Sequence, residues 1–252
     1  MSASFPYSLS IFFPAYNDSL SLPALIEASF AVASQHVEDF EVIIVNDGSP
    51  DNTQEVAEQL QAVYGPRLRV VRHPVNRGYG GALRSGFAAA TKDYVFYTDG
   101  DGQYDVAELE LLLTRAQNGQ RWVNGYKRKR SDSWHRIVIG AVYREVSRLL
   151  FRIRLRDVDC DFRLMRRADI ERLSLQSSSG TICAELVWGL ESLGLRAIEV
   201  PVTHRPRLHG RLSSLGWPRY GRLFVSSVVC CCSASGGGRW QSRNHLRAGS
   251  IH

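Results

Sequence analysis

An α/β fold, with an open and mostly parallel sheet flanked by helices and a basic helical C-terminal portion, is what this sequence predicts. Three observations lead there. Strand-like and helix-like segments alternate as β-α-β-α-β-α-β-α over the first 118 residues, the order that builds crossover connections in a parallel sheet. The strand segments are short apolar runs, the pattern of strands covered on both faces. Each of the first four also ends in a loop of polar or glycine residues, the last being the acidic turn Asp99-Gly100-Asp101.

Ser8 to Phe13 reads as the first strand. Ser21-Leu22-Pro23 opens a helix to about Ala33, with Ser21 as cap and Pro23 in the first turn, where its missing N–H costs nothing. Phe40 to Val45 is the second strand, and Asp51-Asn52-Thr53 caps a helix to about Tyr64. Arg69 to Arg72, Gly80 to Ala90, Tyr94 to Thr98 and Val106 to Gln117 continue the alternation, and Trp122 to Tyr126 adds a strand. Between Ile137 and Leu155, Val138, Val142, Val146, Leu149 and Ile153 recur at helical spacing while Arg144, Arg148 and Arg152 form a separate row. Such a basic amphipathic helix packs on its own domain or lies on a membrane surface. A strand around Phe162 to Met165, a helix near Cys183 to Ser192 and a strand near Ala197 to Val202 follow. Beyond Val229 apolar periodicity is lost, and residues 229–252 read as a disordered tail after a single domain, 1–228.

With 252 residues, 44% of them apolar, the chain has material for one large α/β domain. Charge is unevenly spread: residues 1–114 carry 6 basic and 15 acidic side chains, whereas 115–167 carry 15 and 5. The acidic part suits a cation, and the Arg-rich part suits phosphate groups or an anionic membrane surface. Nucleic acid is disfavoured, because the basic run has no interleaved aromatic side chains on which bases would stack. The five cysteines form no C-x-x-C pair or metal-ligand spacing, which points to a reduced, cytoplasmic compartment. No basic residue precedes the first apolar run and Pro14 interrupts it, so no signal peptide is expected. No window approaches the ~20 apolar residues of a membrane span. Lipid attachment to Cys230, Cys231 and Cys232 lacks a prenylation box in support.

The most informative feature is the acidic turn. Asp99 and Asp101 stand one residue apart where the apolar run Tyr94-Val95-Phe96-Tyr97 stops, at the sheet edge where such folds bind ligands. Oxygen-only ligands suit a hard divalent cation, Mg²⁺ or Mn²⁺, carrying substrate phosphates. The plain alternative is an acidic loop, since Asp and Gly are ordinary turn residues. Three further motifs weigh against it: Pro14-Ala15-Tyr16-Asn17-Asp18, Val45-Asn46-Asp47-Gly48-Ser49 and Asn76-Arg77-Gly78-Tyr79-Gly80-Gly81-Ala82 follow the first three strands.

These motifs, in this order, resemble the family 2 glycosyltransferases with the Rossmann-like GT-A fold. The likeness is greatest to the branch of dolichol-phosphate mannose synthases and bacterial polyprenyl-phosphate glycosyltransferases, and it runs from about Leu9 to Leu223. It implies a nucleotide-binding half, 1–118, and an acceptor half, 119–228. By the same resemblance Pro14, Ala15, Tyr16 and Asp18 line a nucleotide-sugar pocket, with Val45 and Asp47 at its base. Asp47 would accept from a nucleobase ring N–H. Asp99, Gly100 and Asp101 would face the ribose and the metal-bound diphosphate, with Gln103 a further metal-side ligand. Asp18 stands where Glu is usual and Asn46 where a first Asp is common.

In the basic half, Asp157-Val158-Asp159-Cys160-Asp161-Phe162-Arg163-Leu164 resembles the branch's D-x-x-x-G-F-R-L segment, with Asp161 replacing Gly. Gly125-Tyr126-Lys127 with Arg130 and Asp132 resembles a motif that brings cations to the diphosphate or acceptor phosphate. The resemblance implies a metal-dependent inverting transfer from a nucleotide-diphosphate sugar. A polyprenyl phosphate acceptor is favoured by the basic segment, and a saccharide hydroxyl is the alternative. A hydroxyl would need a base, for which Asp157 comes first and Asp161 second. Lys127, Arg130 or Arg163 would stabilise the developing charge, although structural ion pairing accounts for Arg163 equally well. The protein would work in the cytoplasm, with peripheral contact at the membrane face.

Rival classes fit less well. Gly78 and Gly80 match the start of G-x-G-x-x-G, but Leu83 holds the third glycine's place and the segment follows the third strand, so a nicotinamide enzyme is disfavoured. Close packing of a helix start is the better account of these glycines. A nucleotidyltransferase would carry a Gly-rich basic loop after the first strand. A non-catalytic nucleotide-sugar sensor would keep binding without turnover.

Overall fold

A computed structural model of the chain describes residues 4–128 and 154–206. The expected amphipathic helix and the expected tail, 229–252, lie outside the described residues, apart from the last two positions of that helix, as do Arg130 and Asp132.

Seven strands make one sheet: β1 (Leu9–Ala15), β2 (Phe40–Asn46), β3 (Leu68–Arg72), β4 (Tyr94–Thr98), β5 (Trp122–Lys127), β6 (Phe162–Arg166) and β7 (Ile198–Val202), in the order β3-β2-β1-β4-β6-β5-β7. The helices are α1 (Leu22–His36), α2 (Thr53–Tyr64), α3 (Tyr79–Ala89), α4 (Leu109–Ala116), α5 (Arg167–Ile170) and α6 (Ile182–Ser192). Strands β1 to β4 are mutually parallel, and β5 and β7 pair in parallel. The exception is β6, antiparallel to both β4 and β5. A five-residue strand such as Phe162–Arg166 carries no mark of its direction, so this reversal was not foreseen.

Two apolar layers cover the sheet because successive strand residues point to opposite faces. On one face Ile11, Phe13, Val42, Ile44 and Phe96 meet Leu22 and Ile26 of α1 and Leu109 and Leu112 of α4. On the other, Phe12, Ile43, Val95 and Tyr97 meet Leu83 of α3 and Ile182, Leu186 and Val187 of α6. Each such fully buried side chain contributes roughly 1.5–3 kcal/mol, which is why near-continuous apolar strands are needed here.

Two helix starts differ from expectation. Ser21 makes no capping bond; its hydroxyl donates to the Asp18 carbonyl at 2.9 Å and the Gly100 carbonyl at 2.6 Å, tying α1 to the acidic turn. The helix expected from Val106 begins as a 3-10 turn, Val106–Glu108, with Asp105 accepting from the Ala107 N–H, and becomes α-helical at Leu109.

Candidate functional site

Because β1 to β4 are parallel, the four loops that follow them share one edge, and hydrogen bonds join them there. The Asp47 N–H donates to the Ala15 carbonyl at 3.0 Å, and the Gly100 N–H to the Pro14 carbonyl at 3.1 Å. Asn17, in the left-handed region at φ 59°, turns the first loop so that its N–H reaches Ser49 Oγ at 3.2 Å and the Asp18 N–H reaches Thr53 Oγ1 at the same distance. A side chain at Gly100 would collide with the Pro14 carbonyl oxygen, which explains a glycine between the two acids. Pro14, Ala15 and Val45 are buried strand ends that support the edge, whereas Tyr16 is exposed above it.

The acidic residues converge. Asp18 is buried, and its Oδ2 accepts from the Tyr16 N–H at 2.9 Å. Asp47 Oδ1 accepts from the Arg77 N–H at 2.8 Å and lies 2.6 Å from His73 Nδ1. Half-buried Asp99 accepts from the Tyr79 hydroxyl at 2.7 Å, and Asp101 Oδ1 from the Gln103 N–H at 3.0 Å. Burial, then the charges of Asp161 and Asp101, push the Asp99 carboxyl well above its ordinary range; the Tyr79 bond opposes this and Asp18 adds to it. Like charges crowded in this way are what a divalent cation would relieve. Among the described residues no three His, Cys, Asp or Glu side chains form a ready metal cage. A small hard cation held by one or two carboxylates and completed by substrate phosphates needs no cage, so the donor set fits Mg²⁺ or Mn²⁺.

The antiparallel strand decides which residues of the basic half join this cluster. Thr98 pairs with Phe162, so Asp161, immediately before β6, stands beside Asp99, immediately after β4. Asp161 Oδ1 accepts from the Tyr97 hydroxyl at 3.2 Å and the Cys183 thiol at 3.1 Å. Asp157 is buried, its Oδ2 accepting a long bond of 3.4 Å from the Lys127 N–H. Of the two carboxylates the sequence offers as a base, Asp161 is the one that stands beside Asp99.

Arg163 lies in the interior. Its side chain is completely buried, donating from Nε to the Cys160 carbonyl at 3.0 Å, from one terminal nitrogen to the Cys183 carbonyl at 3.4 Å and from the other to the Val158 carbonyl. A guanidinium so enclosed braces the 158–161 loop, and a terminal nitrogen lies 3.8 Å from Asp161 Oδ1, the structural ion pairing that the sequence offers as its alternative role. Lys127 remains at the edge, half-buried, with Nζ donating to the Asp159 carbonyl at 3.1 Å. Gln103 spends its amide N–H on the Arg205 carbonyl at 3.0 Å, pinning the segment after β7 to the acidic turn. Sequence reasoning missed His73, Tyr97 and Cys183. For His73 the available signal was its place directly after strand three, on the shared edge.

The glycines after β3 do pack a helix start. Gly80 donates its N–H to the Ser178 carbonyl at 3.0 Å, and a side chain there would run into the Ser177 carbonyl oxygen. Arg84 and Glu185 grip the same segment, Arg84 through the Gln176 and Ser177 carbonyls and Glu185 through their N–H groups.

A seven-stranded, mostly parallel sheet with acid-bearing loops after β1, β2 and β4 on one edge defines the GT-A class, and the chain belongs to glycosyl transferase family 2, whose model matches residues 10–174. Among curated relatives, an undecaprenyl-phosphate 4-deoxy-4-formamido-L-arabinose transferase of Aeromonas hydrophila subsp. hydrophila is 31% identical over 224 residues, 88% of this chain and 67% of that protein. A protein of the same name from Edwardsiella ictaluri is 29% identical, with the same coverage. Among solved structures, glucosyl-3-phosphoglycerate synthase from Mycobacterium tuberculosis in complex with Mg²⁺ and UDP superposes with a TM-score of 0.70 at 19% identity, over 90% of this chain and 80% of that one. Its complex with Mn²⁺, UDP and glucosyl-3-phosphoglycerate gives 0.68 at 19% identity, over 91% and 80%. The chain is therefore a glycosyltransferase.

Proposed function

We propose that the chain transfers a sugar, with inversion, from a nucleoside-diphosphate sugar to a polyprenyl phosphate, and that it requires Mg²⁺ or Mn²⁺. The observation that carries this is the convergence of Asp18, Asp99, Asp101 and Asp161 on one sheet edge, where burial and the neighbouring carboxylates push the Asp99 carboxyl well above its ordinary range. The relatives named for undecaprenyl phosphate support the acceptor, and the neighbours solved with UDP and Mg²⁺ or Mn²⁺ support the donor and the metal.

Asp99 and Asp101 would hold the cation, with the Gln103 carbonyl oxygen on the same side. When bound, it supplies Lewis-acid neutralisation of the departing diphosphate. Tyr79 fixes one oxygen of Asp99, so the carboxylate is oriented before substrate arrives. Asp47 reads the base, and Lys127 with Arg130 offers positive charge to the leaving group or the acceptor. A phosphate acceptor is already ionised and needs no base; Asp161 then serves to hold the Tyr97 hydroxyl and the Cys183 thiol beside the acidic turn. The basic segment 115–167 supports work at the cytoplasmic face of a membrane carrying that acceptor. Among the described residues no helix is long and apolar enough to cross one.

Purified protein incubated with labelled nucleotide sugars and either polyprenyl phosphate or hydroxyl acceptors tests the reading. Product on the lipid phosphate is expected. Product on hydroxyls alone would reject that acceptor and call for a base, to be found by comparing Asp161→Asn with Asp157→Asn, and donor binding without product on either would leave a sensor.

A further inference from the structure

Asp47 spends one oxygen twice. Its Oδ1 accepts from the Arg77 N–H at 2.8 Å and lies 2.6 Å from His73 Nδ1. His73 is itself held on two sides: Nε2 is 2.8 Å from Ser85 Oγ on α3, and its backbone N–H donates to the Asn46 carbonyl at 2.9 Å. The His73 and Asp47 side chains are only 3% and 4% exposed, so neither partner can drift into water. A carboxylate oxygen only accepts, and the proton of the bond therefore sits on His73 Nδ1, leaving Nε2 to pair with the Ser85 hydroxyl.

The second oxygen is different. Asp47 Oδ2 accepts nothing from a described residue. The side-chain atoms buried without a partner among the described residues are Thr98 Oγ1, Trp122 Nε1 and Asn124 Oδ1, and Asp47 Oδ2 is not one of them.

We infer that His73 is a positioning residue for nucleobase recognition: by taking the acceptor site of Asp47 Oδ1 that the Arg77 N–H leaves, it completes the use of that oxygen and leaves the pocket a single carboxylate acceptor, which selects uracil over guanine. Uracil offers one ring N–H between two carbonyls and needs one acceptor. Guanine offers a ring N–H and an adjacent amino group, a pair that matches both oxygens of a free carboxylate. Against a carboxylate already half used, one guanine donor is left buried without a partner, and a site discriminates strongly against a ligand that leaves such a group unpaired. The inference rests on Asp47 as the base-contacting residue, and it deepens the proposed function by naming the donor's base and the side chain that sets it.

Equilibrium binding of UDP and GDP with Mn²⁺ present, on wild type, His73→Leu and His73→Asn, tests it without needing turnover. Wild type should bind UDP at least about tenfold more tightly than GDP, the worth of one well-placed hydrogen bond. His73→Leu should weaken UDP about tenfold and GDP far less, closing the gap, and should raise KM for the sugar donor more than it lowers kcat. His73→Asn, whose amide donor stands near the place of Nδ1, should restore most of the preference. Ser85→Ala, which loosens the ring from the far side, should give a smaller loss of the same sign and serves if His73→Leu does not fold. Equal binding of the two nucleotides by wild type, a parallel loss of both in His73→Leu, or an unchanged ratio in Ser85→Ala would overturn the inference. A failure of the transfer reading would show separately, as base preference intact with no sugar moved.

Discussion

Tyr79 illustrates how much of the site depends on residues that would never touch a sugar. Its hydroxyl fixes Asp99 Oδ1, and partners that orient a ligating carboxylate are worth about 10- to 100-fold in metal affinity or activity. Tyr79→Phe, which keeps the ring packed and removes only the hydroxyl, should weaken Mn²⁺ binding about tenfold, read by titration, while leaving the melting temperature within a few degrees. Asp99 and Asp101 were legible in the sequence because two acids at the end of an apolar strand are chemically conspicuous. Tyr79 lay inside a quoted motif without a role, because a phenol becomes informative only once its partner is known. His73 was silent for the same reason: its meaning lies in a 2.6 Å contact with a residue 26 positions away.

Among the elements, β6 taught most. The β-α alternation of the first 118 residues was readable because crossover helices and capped turns leave periodic marks. The direction of β6 leaves none, and that direction sets Asp161 beside Asp99. Arg163 follows from the same reversal, since its side chain points into the layer beneath the sheet edge and holds three carbonyls of neighbouring segments. Arg163→Ala should therefore act as a stability variant. Uncovering three buried carbonyls and deleting a buried cation beside Asp161 should cost about 3 kcal/mol or more, read as a fall in the urea midpoint at constant slope. A folded, equally stable variant that has lost only turnover would return Arg163 to the substrate side.

Over the whole molecule, the scaffold is closed at the edge away from the site by one carboxylate. Glu41 accepts from Ser10 Oγ at 2.7 Å, from the Thr91 N–H and hydroxyl at 2.8 and 2.7 Å and from Arg69 at 3.0 Å, joining the amino ends of β1 and β2 to β3 and to the turn before β4. Burial alone would raise its carboxyl, but the donors from Ser10, Thr91 and Arg69 outweigh burial and hold it below its ordinary 4.5. A lowered folded value means that Glu41 stabilises the protein fully above about pH 4.5 and that this contribution is lost as pH falls through the lower folded value. Glu41→Gln should be less stable at neutral pH, and its deficit against wild type should shrink as pH drops below that window, measured by denaturant titration across pH.

The central claim is that Asp99 and Asp101 grip a divalent cation so that a nucleoside diphosphate can bind and leave. Calorimetric titration of UDP into wild type, Asp99→Asn and Asp101→Asn, each with and without Mn²⁺, tests it most directly. Tight binding that depends on Mn²⁺ in wild type and loses that dependence in both variants, with the fold intact by circular dichroism, is expected. UDP binding indifferent to Mn²⁺ in wild type, or unaltered Mn²⁺ dependence in the variants, would contradict it.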